Sequence, residues 1–207
     1  MRLSADAAIA EEAALSPNEE AKGTIGASSH NIFRTILNSS LPLAEKEAKR
    51  LGQEGFVAIA AGGETCGRML TRAIYYVLEN KERVMPPLMK ELRSVMHAKD
   101  TVPILSELER LPYFTGIIKE TLRLSALLTS RLPLVAPAQS LTYGDFVIPP
   151  GHPVSMSLRH ILHNDAIFRQ AMEFVPERWL KTDPDIKTAE RFYVPFSKGS
   201  RNCIGIR

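Results

Sequence analysis

The sequence predicts a mainly α-helical chain carrying small β hairpins. Three observations lead there. Between about Glu54 and Glu79, apolar residues recur on one helical face: Phe56, Ile59, Ala60, Met69, Ala73, Ile74, Val77 and Leu78. From Leu111 to Leu124, Tyr113, Ile117, Ile118, Leu122 and Leu124 supply a second set of helical apolar contacts. The runs Ser130–Pro137 and Leu141–Val147 are brief and bounded by turn residues, as small strands are.

Composition limits the function classes. At 207 residues the chain can build one core or two small ones, and 44% hydrophobic with 24% charged residues argues against disorder. The net charge of +3 is not concentrated in any Lys/Arg run, so no nucleic-acid partner is expected. Cys66 and Cys203 are too few for a disulfide framework and lack metal-finger spacing, which points to reducing conditions. No stretch is long and apolar enough to span a bilayer. Asp6, Glu11 and Glu12 spoil a signal peptide or anchor near the amino terminus, so the chain as written reads as soluble.

Residues 1–30 read as a poorly structured segment, a frayed helix and then a loop, with the folded domain covering 31–207. Ile32, Phe33, Ile36 and Leu37 share a helical face that ends at Asn38-Ser39-Ser40, and a charged helix restarts from Glu45 to Leu51. After the long helix, Asn80 ends that element, and Val84-Met85-Pro86-Pro87 opens a short amphipathic helix from Pro87 to His97. Tyr143-Gly144-Asp145 marks a hairpin turn and Ile148-Pro149-Pro150-Gly151 a bend. Val154 to Leu162 reads as strand then helix, and Lys181 to Val194 as polar and irregular. Cys66 is expected to be a buried small hydrophobe. His160 and His163, three apart with no third ligand nearby, are not assigned to a metal.

Chemistry is concentrated near the carboxyl end. Phe196, Gly199, Arg201, Cys203 and Gly205 form the pattern Phe-x-x-Gly-x-Arg-x-Cys-x-Gly. A thiolate that binds iron needs a tight loop, with no bulky side chain where the backbone turns or meets a flat cofactor. Inside the long helix, Ala61-Gly62-Gly63-Glu64-Thr65 is costly, since each interior glycine loses about 1 kcal/mol against alanine. Two explanations stand: close packing against small residues, or a locally opened helix that frees a carbonyl beside the Glu64 acid and Thr65 hydroxyl. Glu120 and Arg123, three apart, share a helix face, and Arg178 follows in Pro176-Glu177-Arg178-Trp179.

In this order and spacing, the four motifs resemble those of cytochromes P450, and Asn38-Ser39-Ser40-Leu41-Pro42 looks like fungal-type members. The resemblance covers about Asn31 to Arg207 and implies the C-terminal portion of the P450 fold, truncated at both ends. It implies haem b (iron protoporphyrin IX) with Cys203 as axial ligand to the iron and Arg201 and Arg131 on the propionates. Glu64 and Thr65 become the catalytic acid–alcohol pair. Glu120, Arg123 and Arg178 become a structural triad, with bidentate arginine locking that lysine lacks. The implied activity is haem-thiolate monooxygenation of a small organic substrate, using O2 and electrons from NADPH by way of NADPH-cytochrome P450 reductase. Full-length relatives are implied to sit on the endoplasmic reticulum membrane. The alternative is a non-catalytic truncated fragment or partner-binding remnant. A P450-like isomerase or dehydratase is disfavoured, because such an enzyme has no use for Glu64-Thr65.

Overall fold

The computed structural model describes residues 32–98 and 102–206, so the expected unstructured segment 1–30 lies outside the described residues. The described residues fall into two compact units, divided between Gly67 and Arg68.

In the first unit, helix α1 spans Ile32–Leu37. Its end is set by Ser39, whose Oγ donates to the Ile36 carbonyl (2.6 Å) and accepts the Leu41 amide (3.3 Å). A 3-10 turn at Leu43–Lys46 leads into α2, Ala48–Ile59. The long helix thus starts at Ala48 rather than near Glu54, and the separate charged helix is not formed. Arg50 explains the difference, because it pairs with Glu45 (2.6 Å) and, one turn on, with Glu54 (2.5 Å). Together with fully buried Leu51, that ladder carries the helix through Gly52. A π-helical segment, Ala60–Glu64, follows, and α3 runs from Thr65 to Glu79. Cys66 is exposed on α3, which corrects its expected burial.

The second unit continues α3 into α4 (Lys81–Leu92), α5 (Leu105–Leu108) and α6 (Pro112–Ser125). Helix α4 starts before Val84-Met85-Pro86-Pro87 and contains both prolines, contrary to a helix opening at Pro87. Each proline removes a backbone bond donor. The helix keeps its course because Val84 is fully buried and the Asn80 carbonyl accepts the Arg83 and Val84 amides (3.1 and 2.9 Å). Pro112 begins α6 at a position where a missing N–H costs nothing. The next two amides, of Tyr113 and Phe114, are capped by the Glu91 carboxylate of α4 at 2.9–3.0 Å.

Strand β1 (Leu132–Val135) pairs antiparallel with β4 (Pro153–Met156), Leu132 opposite Met156. Between them lies the hairpin of β2 (Leu141–Tyr143) and β3 (Phe146–Ile148), turned at Gly144 with φ +57°. Helix α7, Leu158–Leu162, follows β4.

Two cores hold this unit. Val84, Tyr113, Ile117, Leu124 and Phe174 form one, with Tyr76 stacked on Phe174 at 5.0 Å. Phe168, Ala171, Trp179 and Ala189 form the other. Each large side chain so buried contributes about 1.5–3 kcal/mol. The second core accounts for helix α8, Ile186–Phe192, in the stretch expected to be irregular. Ala189 is buried there, with Ile186, Phe192 and Tyr193 half-buried beside it. That spacing is helical, but polar residues at the intervening positions dilute it.

Candidate functional site: a thiol loop and a buried carboxylate clasp

The loop around Cys203 is made by its own backbone. The Cys203 amide donates to the Phe196 carbonyl at 3.0 Å, the Ser197 amide to Val194 at 3.0 Å, and the Asn202 amide to Gly199 at 3.2 Å. Two left-handed residues, Ser197 (φ +63°) and Gly199 (φ +84°), produce the turn. Glycine adopts that conformation freely, whereas Ser197 does so at a cost. Gly205 lies beside the sulfur: a Cβ built on it would stand 4.0 Å from the Cys203 Sγ, an ordinary van der Waals contact. The thiol is free of any disulfide and exposed. Arg201 is exposed in the same loop, Arg131 is exposed just before β1, and Phe196 is half-buried.

These donors fit the implied cofactor. Haem needs one soft axial ligand, cations for two propionates, and apolar surface for its flat ring. The second unit offers a bare thiol, two exposed arginines, and apolar residues open to solvent at Leu132, Leu134 and Ile204, the last fully exposed.

The Glu120 cluster is bonded far more densely. Glu120 and Arg123 on α6 are both 0% exposed. Arg123 grips Glu120 with Nε on Oε2 (2.9 Å) and Nη2 on Oε1 (2.8 Å). Arg178 Nε donates to Oε1 at 3.0 Å. The Trp179 indole N–H donates to Oε2 at 2.9 Å, and the Val175 amide to Oε1 at 3.0 Å. The remaining Arg123 donors reach the carbonyls of Leu162 (2.7 Å), Ala171 (2.6 Å) and Glu173 (3.2 Å). Arg178 Nη2 donates to the Gln170 carbonyl at 3.3 Å. A buried charge set is tolerable only when bonded this fully. Gly116, one turn before Glu120, lets α6 sit against the Pro176–Trp179 turn, since a Cβ there would stand 2.8 Å from the Pro176 carbonyl oxygen.

Trp179 and Tyr193 are the members that motif reading passed over. A buried indole N–H needs an acceptor, which was the available signal for Trp179. Its ring meets Tyr193 edge-on at 4.8 Å, and burial, then the Glu120 charge, raises the Tyr193 hydroxyl pKa. His163 Nε2 donates to the Leu124 carbonyl at 3.1 Å, so it secures the end of α6.

Glu64 and Thr65 belong to the first unit. Thr65 Oγ1 donates to the Ala61 carbonyl at 2.6 Å, across the π segment. That segment bears on the two explanations for Gly62-Gly63. A Cβ built on either glycine, or on Gly67, meets no described atom within 4 Å, so no close packing against them is seen among the described residues. The widened helix is what they accompany.

Among the described residues, no helix is long and apolar enough to cross a membrane. Comparison with known proteins bears on all of these elements. The family model for Cytochrome P450 matches residues 29–207. Cytochrome P450 monooxygenase sdnE of Sordaria araneosa is 38% identical, over 90% of this chain and 37% of its own. Cytochrome P450 monooxygenase pbrB of Penicillium brasilianum is 39% identical, over 92% of this chain and 37% of its own. A zebra fish cytochrome P450 solved with progesterone superposes with TM-score 0.60 at 27% identity, over 72% of this chain and 32% of that one. The chain therefore spans about a third of the length of the relatives it matches. It belongs to the cytochrome P450 family.

Proposed function

We propose that this chain supplies the thiolate ligand, propionate cations and proton-relay pair of a fungal cytochrome P450 monooxygenase. The observation that carries the reading is the Cys203 loop: a free, exposed thiol on a backbone-closed turn.

Haem b held there supplies O2 binding and activation, with electrons from NADPH through a partner reductase. The protein's part is to hold and to deliver. Cys203 Sγ would hold the iron as a thiolate, the ligand that supplies electron density to it. Arg201 and Arg131 pair with the propionates, a task for which a guanidinium fork suits a carboxylate. Phe196 and Gly199 shape the loop backbone. Thr65 Oγ1 donates its one proton to Ala61 and keeps acceptor capacity, so it can accept a hydrogen bond here and would relay a proton once the hydroxyl turns away from Ala61. Glu64, an exposed carboxylate next to it, exchanges protons with water. Glu120, Arg123 and Arg178 take no part in bond making; they hold the segment that leads to the loop.

The test is to supply haem to the chain, reduce it, add CO and record the Soret band. A band at the position typical of thiolate ligation is expected. Absence of haem uptake would overturn the reading in favour of a non-catalytic role.

A further inference from the structure

The Pro176–Trp179 turn is gripped on a second side by a charged cluster that the Glu120 clasp does not include. The Glu177 carboxylate accepts Arg83 Nη1 on both oxygens, at 2.8 and 2.7 Å, and the Tyr113 hydroxyl at 2.9 Å. Arg83 Nη2 donates as well to the Phe174 carbonyl, just ahead of the turn. Consecutive residues of one turn therefore face different anchors. Glu177 is tied to α4 and the start of α6, while Arg178 and Trp179 are tied to Glu120 further along α6. The two helices are themselves joined, because Glu91 of α4 caps the α6 amides.

Beyond the turn, the constraint has a route to the thiol. Trp179 packs edge-on against Tyr193. The Val194 carbonyl next to it accepts the Ser197 amide, and the Phe196 carbonyl accepts the Cys203 amide. We propose that Arg83, Glu177 and Tyr113 form a second positioning clasp, which sets the pose of the Pro176–Trp179 turn and through it the Cys203 loop. This deepens the reading of Cys203 as the haem ligand and rests on it for its functional consequence.

The two clasps differ in their exposure to solvent. Glu120 and Arg123 are 0% exposed, whereas the Arg83 and Glu177 side chains are 45% and 38% exposed. Exposed charges are screened over a Debye length of about 8–10 Å at ordinary ionic strength, and buried ones much less. Salt should therefore loosen the outer clasp and leave the inner one intact.

Amide hydrogen exchange, read by mass spectrometry on the chain without haem, tests this. In Glu177→Gln, exchange should rise roughly three- to tenfold in peptides covering the turn and the Cys203 loop, and stay unchanged in α6 around Glu120. The swap Arg83→Glu with Glu177→Arg should restore slow exchange in the loop. Raised salt should move the wild type toward Glu177→Gln without altering the variant. Tyr113→Phe keeps the ring in the core and should give a smaller rise confined to the same peptides. Unchanged loop exchange in Glu177→Gln would overturn the proposal. So would a uniform rise across the second unit, which marks general loss of stability. The readout needs no cofactor, so its failure and a failure of haem uptake are distinguishable.

Discussion

The Glu120 clasp and the Cys203 loop are joined through the second core of the second unit, yet their construction is opposite. Around Glu120, charges are buried and their donors and acceptors matched within a few ångströms. From Ser197 to Ile206 every residue is exposed, and the loop is held by a few backbone bonds, the Lys198 Nζ donation to the Arg191 carbonyl and two left-handed residues. The contrast separates two tasks. Bonding is concentrated behind the loop, where it fixes the chain's approach, while the thiol itself stands exposed.

The largest way to break that contrast is Glu120→Gln. It leaves Arg123 and Arg178 buried without their counter-charge, and breaking such a set costs about 3–5 kcal/mol. Denaturant unfolding should show this loss, and a loss below about 1 kcal/mol would mean the cluster is far less coupled than its geometry states. Gly116→Ala attacks the same region sterically. Its new methyl would stand 2.8 Å from a backbone oxygen that cannot swing away, for about 1–3 kcal/mol. Alanine at Gly63 meets nothing and is the matched control.

A smaller effect is pH-dependent. His163 has a lowered pKa, chiefly because burial disfavours the charged ring, with the bond to the Leu124 carbonyl opposing and the Arg123 and Arg159 charges adding to the lowering. The unfolded chain takes up that proton first, near the ordinary value of 6.5. The neutral ring's contribution is therefore whole above that pH and is lost as pH falls through the lower, folded value. Unfolding measured from pH 7.5 to pH 5 should show less acid sensitivity in His163→Gln than in the wild type. Equal slopes would remove His163 from the account.

What the sequence made legible follows the range of the interactions. The α6 apolar spacing, the Glu120–Arg123 pair and the Gly199 turn are local, and each appears where its residues suggest. The Trp179 N–H on Glu120 and the Glu91 cap on α6 join residues 59 and 22 positions apart, which no spacing rule encodes. Pro86 and Pro87 inside α4 and the helix at Ile186–Phe192 went unread for a related reason. In both, long-range burial overrides local preference, through Val84 in one and Ala189 in the other. Cys66 errs in the opposite sense: its apolar character suggests burial, but it lies on an uncovered face of α3. At Gly62-Gly63 the sequence left two explanations, and the structure shows a π segment with no described atom within 4 Å of either Cβ.

The division between scaffold and ligand is tested most directly by one variant measured two ways. Cys203→Ser should unfold within about 0.5 kcal/mol of the wild type, because the exposed thiol packs against little. The same protein, supplied with haem, reduced and treated with CO, should lose the thiolate-type Soret band. A stability loss comparable to that of Glu120→Gln, or a thiolate band that survives the substitution, would contradict the account.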